Sequence, residues 1–211
     1  MTVNVGVCLG RHPALVCVDS YTPEPTPEEW LAHTHPERRH LIRYVETLPA
    51  TGADLRPTVD RIATVAEQAR HFGFPTAVLG ADDIGRPIVD ALRGATSCSL
   101  YPVSFVSGED QPPPGYTVHP TPARDPVISL AAVLETRRVT YDPGCPLQAE
   151  LNDALSRFDA RAPATALDGL ALALCLAIWY GDRARLTDLW SRELAQSAGT
   201  LAPADPSPWG G

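Results

Sequence analysis

The chain has 211 residues, 44% of them hydrophobic, and a formal net charge of −8, with 25 acidic residues against 17 basic ones. That is enough apolar sequence for one domain of ordinary size with a buried core, and no run of eighteen apolar positions offers a membrane span. The charge disfavours non-specific binding to nucleic acid, although a local arginine cluster can still supply a contact. Five cysteines, at 8, 17, 98, 145 and 175, are odd in number, widely spaced and never in C-x-x-C, which excludes a disulfide framework and a zinc knuckle. Every basic residue is Arg, a bias better explained by a GC-rich coding genome than by function. The opening MTVNVGVCLG lacks a basic segment followed by an apolar one, so no secretion signal is expected and the cytoplasm is the default location.

In chain order, Val3 to Leu9 and Ala14 to Asp19 are β-rich runs on either side of Gly10-Arg11-His12-Pro13, predicting a hairpin. Tyr21 to Pro36 carries four prolines and the run Glu28-Glu29-Trp30-Leu31, predicting a loop with one short helix. Arg39 to Leu48 alternates as a third antiparallel strand. Arg56 to Phe72 places Val59, Ile62, Ala63, Ala66 and Ala69 on one helical face and closes at Gly73. Thr76 to Leu79 is a strand, Gly80 to Asp83 a turn, and Ile84, Ile88, Val89 and Leu92 recur at helical spacing.

Ser99 to Val106 predicts a fifth strand, and Gly108 to Gly115, with three consecutive prolines, a surface loop. Helices are expected over Asp125 to Arg137 and Leu147 to Phe158, with a short strand, Arg138 to Tyr141, between them. The final helical segment follows Pro163, is apolar nearly all round from Leu170 to Trp179, and is expected to break near Gly181 before resuming over Leu186 to Ala195. Residues 1–197 are read as one α/β domain with a mixed sheet of about five strands flanked by helices. Residues 198–211, rich in Pro and Gly, are read as a disordered tail.

The stretch TAVLGADDIGRPIVDALR, from Thr76 to Arg93, resembles the second acidic motif of the nuclease domain of phage terminase large subunits, an RNase H-like (RuvC-like) fold. Gly85, Arg86, Pro87 and Asp90 match the helix side of that motif. Four further pieces match in order. VGVCLGRHPALVCVD resembles the first hairpin, and SFVSGEDQPPPGYTVHP the segment leading to a V-P-K box. VISLAAVLETRRVTYDPGCPLQAELNDALSRF resembles the helix, strand and helix that follow, and DGLALALCLAIW the C-terminal acidic helix. The resemblance covers about residues 3 to 185 and implies an RNase H-like fold, consistent with the βββαβα order of the first elements. The chain has no lysine and so no phosphate-binding P-loop, which leaves out the packaging ATPase of a terminase.

The family's chemistry is two-metal phosphodiester hydrolysis, with carboxylates from the first strand, the fourth strand and the last helix holding divalent cations. Here the matching positions fall at Cys8, Gly80 and Gly169, the last following Asp168, and the box lysine is lost around His119 and Pro120. A thiol is a poor ligand for Mg²⁺ or Mn²⁺ and glycine offers none, so the resemblance implies a pseudo-nuclease with no catalytic residues and no cofactor. The alternative is a metal-dependent endonuclease with relocated carboxylates, Asp82, Asp83, Asp168 and Asp19, caging Mg²⁺ or Mn²⁺. For each of these acids the ordinary reading is a helix cap or a strand end.

Arg86, Arg137 and Arg138 are weak candidates for nucleic-acid contact, and Arg38 with Arg39 is a similar pair. His33, His35 and His40, in a Pro-containing region, are better read as solvated loop residues than as metal ligands. A triad through Cys8 can be drawn on paper, but nothing places a histidine beside it, and a mid-strand cysteine is usually core. The expectation is therefore a non-catalytic, nuclease-derived binding or structural module of phage or prophage origin, related to DNA packaging. Its expected partner is another protein rather than nucleic acid or a membrane.

Overall fold

The computed structural model describes residues 1–10, 12–32, 36–49, 54–80, 85–106 and 118–183. At its centre β1 (Thr2–Cys8), β2 (Ala14–Tyr21) and β3 (Arg39–Thr47) form an antiparallel meander. Nearly every residue of β1 and β2 is buried, which is why both read as continuous apolar runs rather than as alternating ones. A five-residue helix, α1 (Pro27–Leu31), lies between β2 and β3, closed by a capping box between Thr26 and Glu29.

Helix α2 (Arg56–Ala69) ends in a 3₁₀ turn, Arg70–Phe72, and leads to β4 (Pro75–Gly80), which pairs parallel to β1. Helix α3 (Gly85–Ala95) and β5 (Ser99–Val106) follow, and then β6 (His119–Pro122), α4 (Asp125–Glu135), β7 (Val139–Tyr141) and α5 (Gln148–Ser156). Residues 169–183 form a last helix, α6. The sheet among the described residues has seven strands in the order β6-β5-β4-β1-β2-β3-β7, with β4, β5 and β6 running parallel to β1 and β7 parallel to β3.

The sequence predicts a sheet of about five strands and, separately, a short strand at Arg138 to Tyr141; β6 is the one unexpected strand, and β6 and β7 sit at the two edges of the described sheet. In β6, His-Pro-Thr-Pro, the two prolines argue against a central strand, yet they fit an edge, where two missing N–H groups leave no ladder bond unmade. The short β7 was expected as an element, but its pairing with β3 has no local signal. Residues 107–117 and 184–211, holding the expected Pro-rich loop and tail, lie outside the described residues. No helix among the described residues is long and apolar enough to cross a membrane.

Each face of the sheet carries its own core. Val3, Val5 and Val7 of β1 point to α2 and α3, meeting Val59, Ile62, Ile88 and Leu92. The opposite face, through Val16, Val18, Val78 and Val103, meets Val127 and Leu130 of α4, Leu151 of α5, and α6 from Leu170 to Trp179. A β-bulge between Cys17 and Val18 shifts the register of β3, so that Tyr44 pairs Cys17 while Ile42 pairs Val18. Arg43 is the extra residue. The bulge lets Ile42 and Val45, three positions apart, share the α6 face, and it aims Arg43 at Asp19 and Asp142.

Helix α6 continues through Gly181 to residue 183, and the expected helical stretch from Leu186 to Ala195 lies outside the described residues. Gly181 is there for close approach: a Cβ on it would lie 2.5 Å from Ser20 Oγ and 2.9 Å from Asn4 Nδ2. Gly6 of β1 does the same beneath the helix centre, where a Cβ would fall 1.9 Å from the Ala173 carbonyl oxygen. At the end of α4, Arg137 N–H donates to Leu134 O and Arg138 N–H to Val133 O, a Schellman arrangement with Arg137 left-handed at φ 52°.

These two kinds of backbone constraint respond oppositely to substitution. Gly6→Ala drives a methyl into a carbonyl and is expected to lower stability by about 3 kcal/mol or more. Arg137→Gly relieves a left-handed non-glycine residue and is expected to leave stability unchanged or raise it by roughly 0.5–1 kcal/mol. Urea denaturation of the two variants beside the parent checks both signs.

Candidate functional site

The carboxyl ends of β1 and β4 lie side by side because the two strands are parallel, with Val7 opposite Leu79. The start of α6 and the turn of the β1–β2 hairpin close in from above. Between them is a cleft of about 1060 Å³, lined among others by Cys8, Gly80, Phe105, Arg157, Asp168 and Gly169. The three positions where the terminase resemblance puts carboxylates thus meet at one cleft, at the strand ends where an open α/β sheet gathers its ligands.

The three positions differ in what they can hold. Cys8 is 5% exposed, and its thiol is pushed above the ordinary range, chiefly by burial and further by the nearby Asp168 carboxylate, against a backbone N–H at Gly10 that favours the thiolate. It is a protonated, poorly nucleophilic thiol at neutral pH. Gly80 has room, since an added Cβ would meet Leu176, Val7 and Phe105 only at ordinary van der Waals distance, 3.8–4.0 Å. Gly169 has none: a Cβ there would fall 1.7 Å from the His12 carbonyl oxygen. The first turn of α6 is pressed onto the hairpin so closely that any side chain at 169 requires the backbone to move.

Asp168, one residue earlier, faces the cleft as the N-cap of α6; its Oδ1 accepts from Leu170 N–H at 3.0 Å. Asp159, also in the cleft, accepts from Arg161 N–H at 2.8 Å. Both are engaged in local backbone caps. Among the described residues no group of three His, Cys, Asp or Glu side chains stands close enough to hold a metal ion. The donor set of Cys8, Gly80 and Gly169 does not fit Mg²⁺ or Mn²⁺, which require several oxygen ligands.

The other candidates are dispersed. Asp82 and Asp83 lie outside the described residues, as do His33 and His35. Asp19 does not join Asp168. It pairs with Val3 at the opposite end of β1 from Cys8, about 16 Å along the strand, and is buried against Arg43 Nε at 2.7 Å. A single cage holding both acids is therefore not formed. Arg86 falls in the first turn of α3, with its side chain outside the described ones.

Arg138 is committed to Glu37 and to the Arg38 carbonyl, whereas Arg137 is exposed. Arg38 is buried and donates to Ser20 O at 3.0 Å and to Thr2 Oγ1. His40 is not a solvated loop residue: it sits in β3, fully buried. His119 stacks flat on Tyr101 at 3.8 Å, its pKa lowered by burial and then by Arg183.

Sequence reasoning missed Arg157, Asp159 and Phe105 as cleft residues. They come from the segment after α5 and from β5, and only the packing of α6 over the sheet brings them to Cys8.

No family model matches this sequence, and no curated protein matches it. Among solved structures, the human cytomegalovirus terminase nuclease domain, from a manganese-soaked crystal, superposes with a TM-score of 0.51 at 10% identity. The match covers 83% of this chain and 81% of that one. At that identity the likeness speaks for the fold, and it agrees with the mixed sheet and flanking helices described above: this is the RNase H-like fold of a terminase nuclease domain.

The geometry makes the three positions separable by experiment. Gly80→Asp is expected to fold with a melting temperature near that of the parent, whereas Gly169→Ala is expected to lose about 3 kcal/mol or more, read by thermal and urea unfolding. The Cys8 thiol, raised in the folded protein, ionises there only at higher pH than in the unfolded chain. Its stabilising contribution is thus complete below the unfolded value and is lost as pH rises towards the folded one. Alkylation at Cys8, followed by peptide mapping, should accordingly be slower at every mildly alkaline pH than that of the same cysteine in the urea-unfolded chain, and equal rates in the two states would contradict this environment.

Proposed function

We propose that this chain is a non-catalytic, nuclease-derived module of phage or prophage descent, which keeps the RNase H-like scaffold as a binding surface for another protein. The observation that carries this reading is the convergence of Cys8, Gly80 and Gly169 on one cleft, with the last position sterically closed to a carboxylate. A nuclease that had lost one acid by a single substitution would keep the space for it. At Gly169 the His12 carbonyl of the hairpin occupies that space, which supports the reading of a cleft put to a different use.

The net charge of −8 points the same way. An acidic protein presents a repulsive field to a polyanion, and the arginines near the α4 terminus include one already spent on Glu37. The cleft itself is of mixed character, with Phe105, Phe158, Leu167 and Leu172 beside Arg157, Asp159 and Asp168. An apolar pocket with a few charged groups at its mouth suits a protein side chain or a short peptide better than a phosphate backbone. Arg157 is itself paired with Asp153 at 3.0 Å, which lowers its availability to a phosphate.

The test is cleavage of supercoiled and linear DNA in Mn²⁺ by the parent and by an Asp82→Ala, Asp83→Ala, Asp168→Ala variant. Neither protein is expected to cut. Cutting by the parent but not by the variant would overturn the reading and establish a rebuilt metal site with relocated carboxylates.

A further inference from the structure

Away from the cleft, the far end of α6 rests on a row of polar side chains that the fold buries almost completely. Asn4 of β1, Ser20 of β2 and His40 of β3 are each no more than 1% exposed. Ser20 is the direct cross-strand partner of His40, and Asn4 reaches Ser20 diagonally, with Nδ2 3.3 Å from Ser20 Oγ. Ser20 Oγ lies 2.9 Å from His40 Nδ1. On the other side of the ring, His40 Nε2 lies 3.5 Å from Asp182 Oδ1 of α6, a charge contact that is too long or too misaligned to count as a hydrogen bond, so Nε2 is buried without a hydrogen-bond partner among the described residues. Gly181, next to it, lets the helix backbone settle directly on Ser20 and Asn4.

The row resembles a hydrolytic serine, histidine and aspartate set, but it cannot act as one. Ser20 and His40 have no exposed surface, and α6 covers the serine, so no substrate meets Oγ. We infer instead that Asn4, Ser20 and His40 form a one-way hydrogen-bond chain, closed by the charge contact of the His40 ring with Asp182, that latches α6 around Asp182 to the sheet, with the His40 ring proton on Nε2.

Donor and acceptor chemistry sets the direction. The Asn4 amide nitrogen only donates, so Ser20 Oγ accepts there and its own hydrogen is free to go to His40 Nδ1. That leaves the ring proton on Nε2, facing a carboxylate that only accepts. Turning the Asn4 amide over would reverse the chain and set the bare Nε2 lone pair against the Asp182 carboxylate, so Asp182 fixes the direction. Asp182 is one-third exposed and is the member of the chain in contact with water. Helix α6 runs from Gly169 in the cleft to this latch, about 20 Å along its axis. Holding the far end therefore holds the register of the helix along β1, and with it the cleft wall. In this arrangement Asn4, Ser20 and His40 are positioning residues.

Nitrogen-15 NMR of the His40 ring in the parent protein tests the direction, and amide hydrogen exchange in Asp182→Ala and Ser20→Ala tests the latch. The expected result is a protonated Nε2 and a bare Nδ1 in the parent. In Asp182→Ala the amides of residues 179–183 should exchange about tenfold faster, with those of β1 and β4 unchanged. A proton on Nδ1 in the parent would overturn the assignment, and unchanged exchange over residues 179–183 in both variants would overturn the latch. The parent measurement stands by itself should Ser20→Ala fail to fold.

Discussion

Glycines at three levels set how closely α6 lies on the protein beneath it. Gly169 meets the His12 carbonyl, Gly6 of β1 receives the Ala173 carbonyl, and Gly181 settles on Ser20 and Asn4. A helix normally stands off a sheet by the length of its side chains; here backbone touches side chain or backbone at its start, middle and end. The helix between these points is apolar on every side because it is covered on every side. The sheet lies below, and α4 and α5 pack against the same cluster, so that residues from Leu170 to Trp179 are all buried. Burial at that density makes the placement of α6 the constraint from which the cleft, the opposite polar floor and the sheet face all follow.

At the cleft end the close approach has a chemical consequence. The fold is that of a nuclease domain, and the strand ends still converge as a metal site requires, but the donor atoms differ. Cys8 is a buried thiol held in its protonated form, Gly80 leaves open space, and Gly169 leaves neither donor nor space. The fold does not dictate the site, since the core depends on glycine and alanine contacts that are indifferent to what lines the cleft.

At the opposite end of β1 the sheet is polar inside. Asp19 is buried beside a bulge that delivers Arg43 to it and to Asp142, and the guanidinium also lies over the Phe72 ring at 4.7 Å. A buried carboxylate without this partner would carry its full desolvation cost, so the bulge in β3 and the charge in β2 explain each other. The two ends of the same strand therefore have different tasks. One opens a cleft to solvent, and beside the other Arg43 ties two strands, β2 and β3, to two connecting segments.

Much of this architecture was legible in the residues themselves. Local apolar periodicity determined the three strands of the meander, β4, β5 and the helical segments, because patterning reports on which face of an element is buried without reference to what buries it. The motifs around Cys8, Gly80 and Asp168 were legible only through their resemblance to a known family, and what the structure adds is that these positions line one cleft. What tertiary structure decided were the contacts between segments far apart in the chain. The bulge that turns Arg43 towards Asp19, the prolines of β6 accepted at an edge, and Asp19 lying about 16 Å along β1 from Cys8 are all of this kind. Gly181 is the plainest case. Its sequence signal is that of a helix breaker, and its role is set wholly by Ser20 and Asn4 beneath it, residues more than a hundred and fifty positions away that no local pattern brings into view.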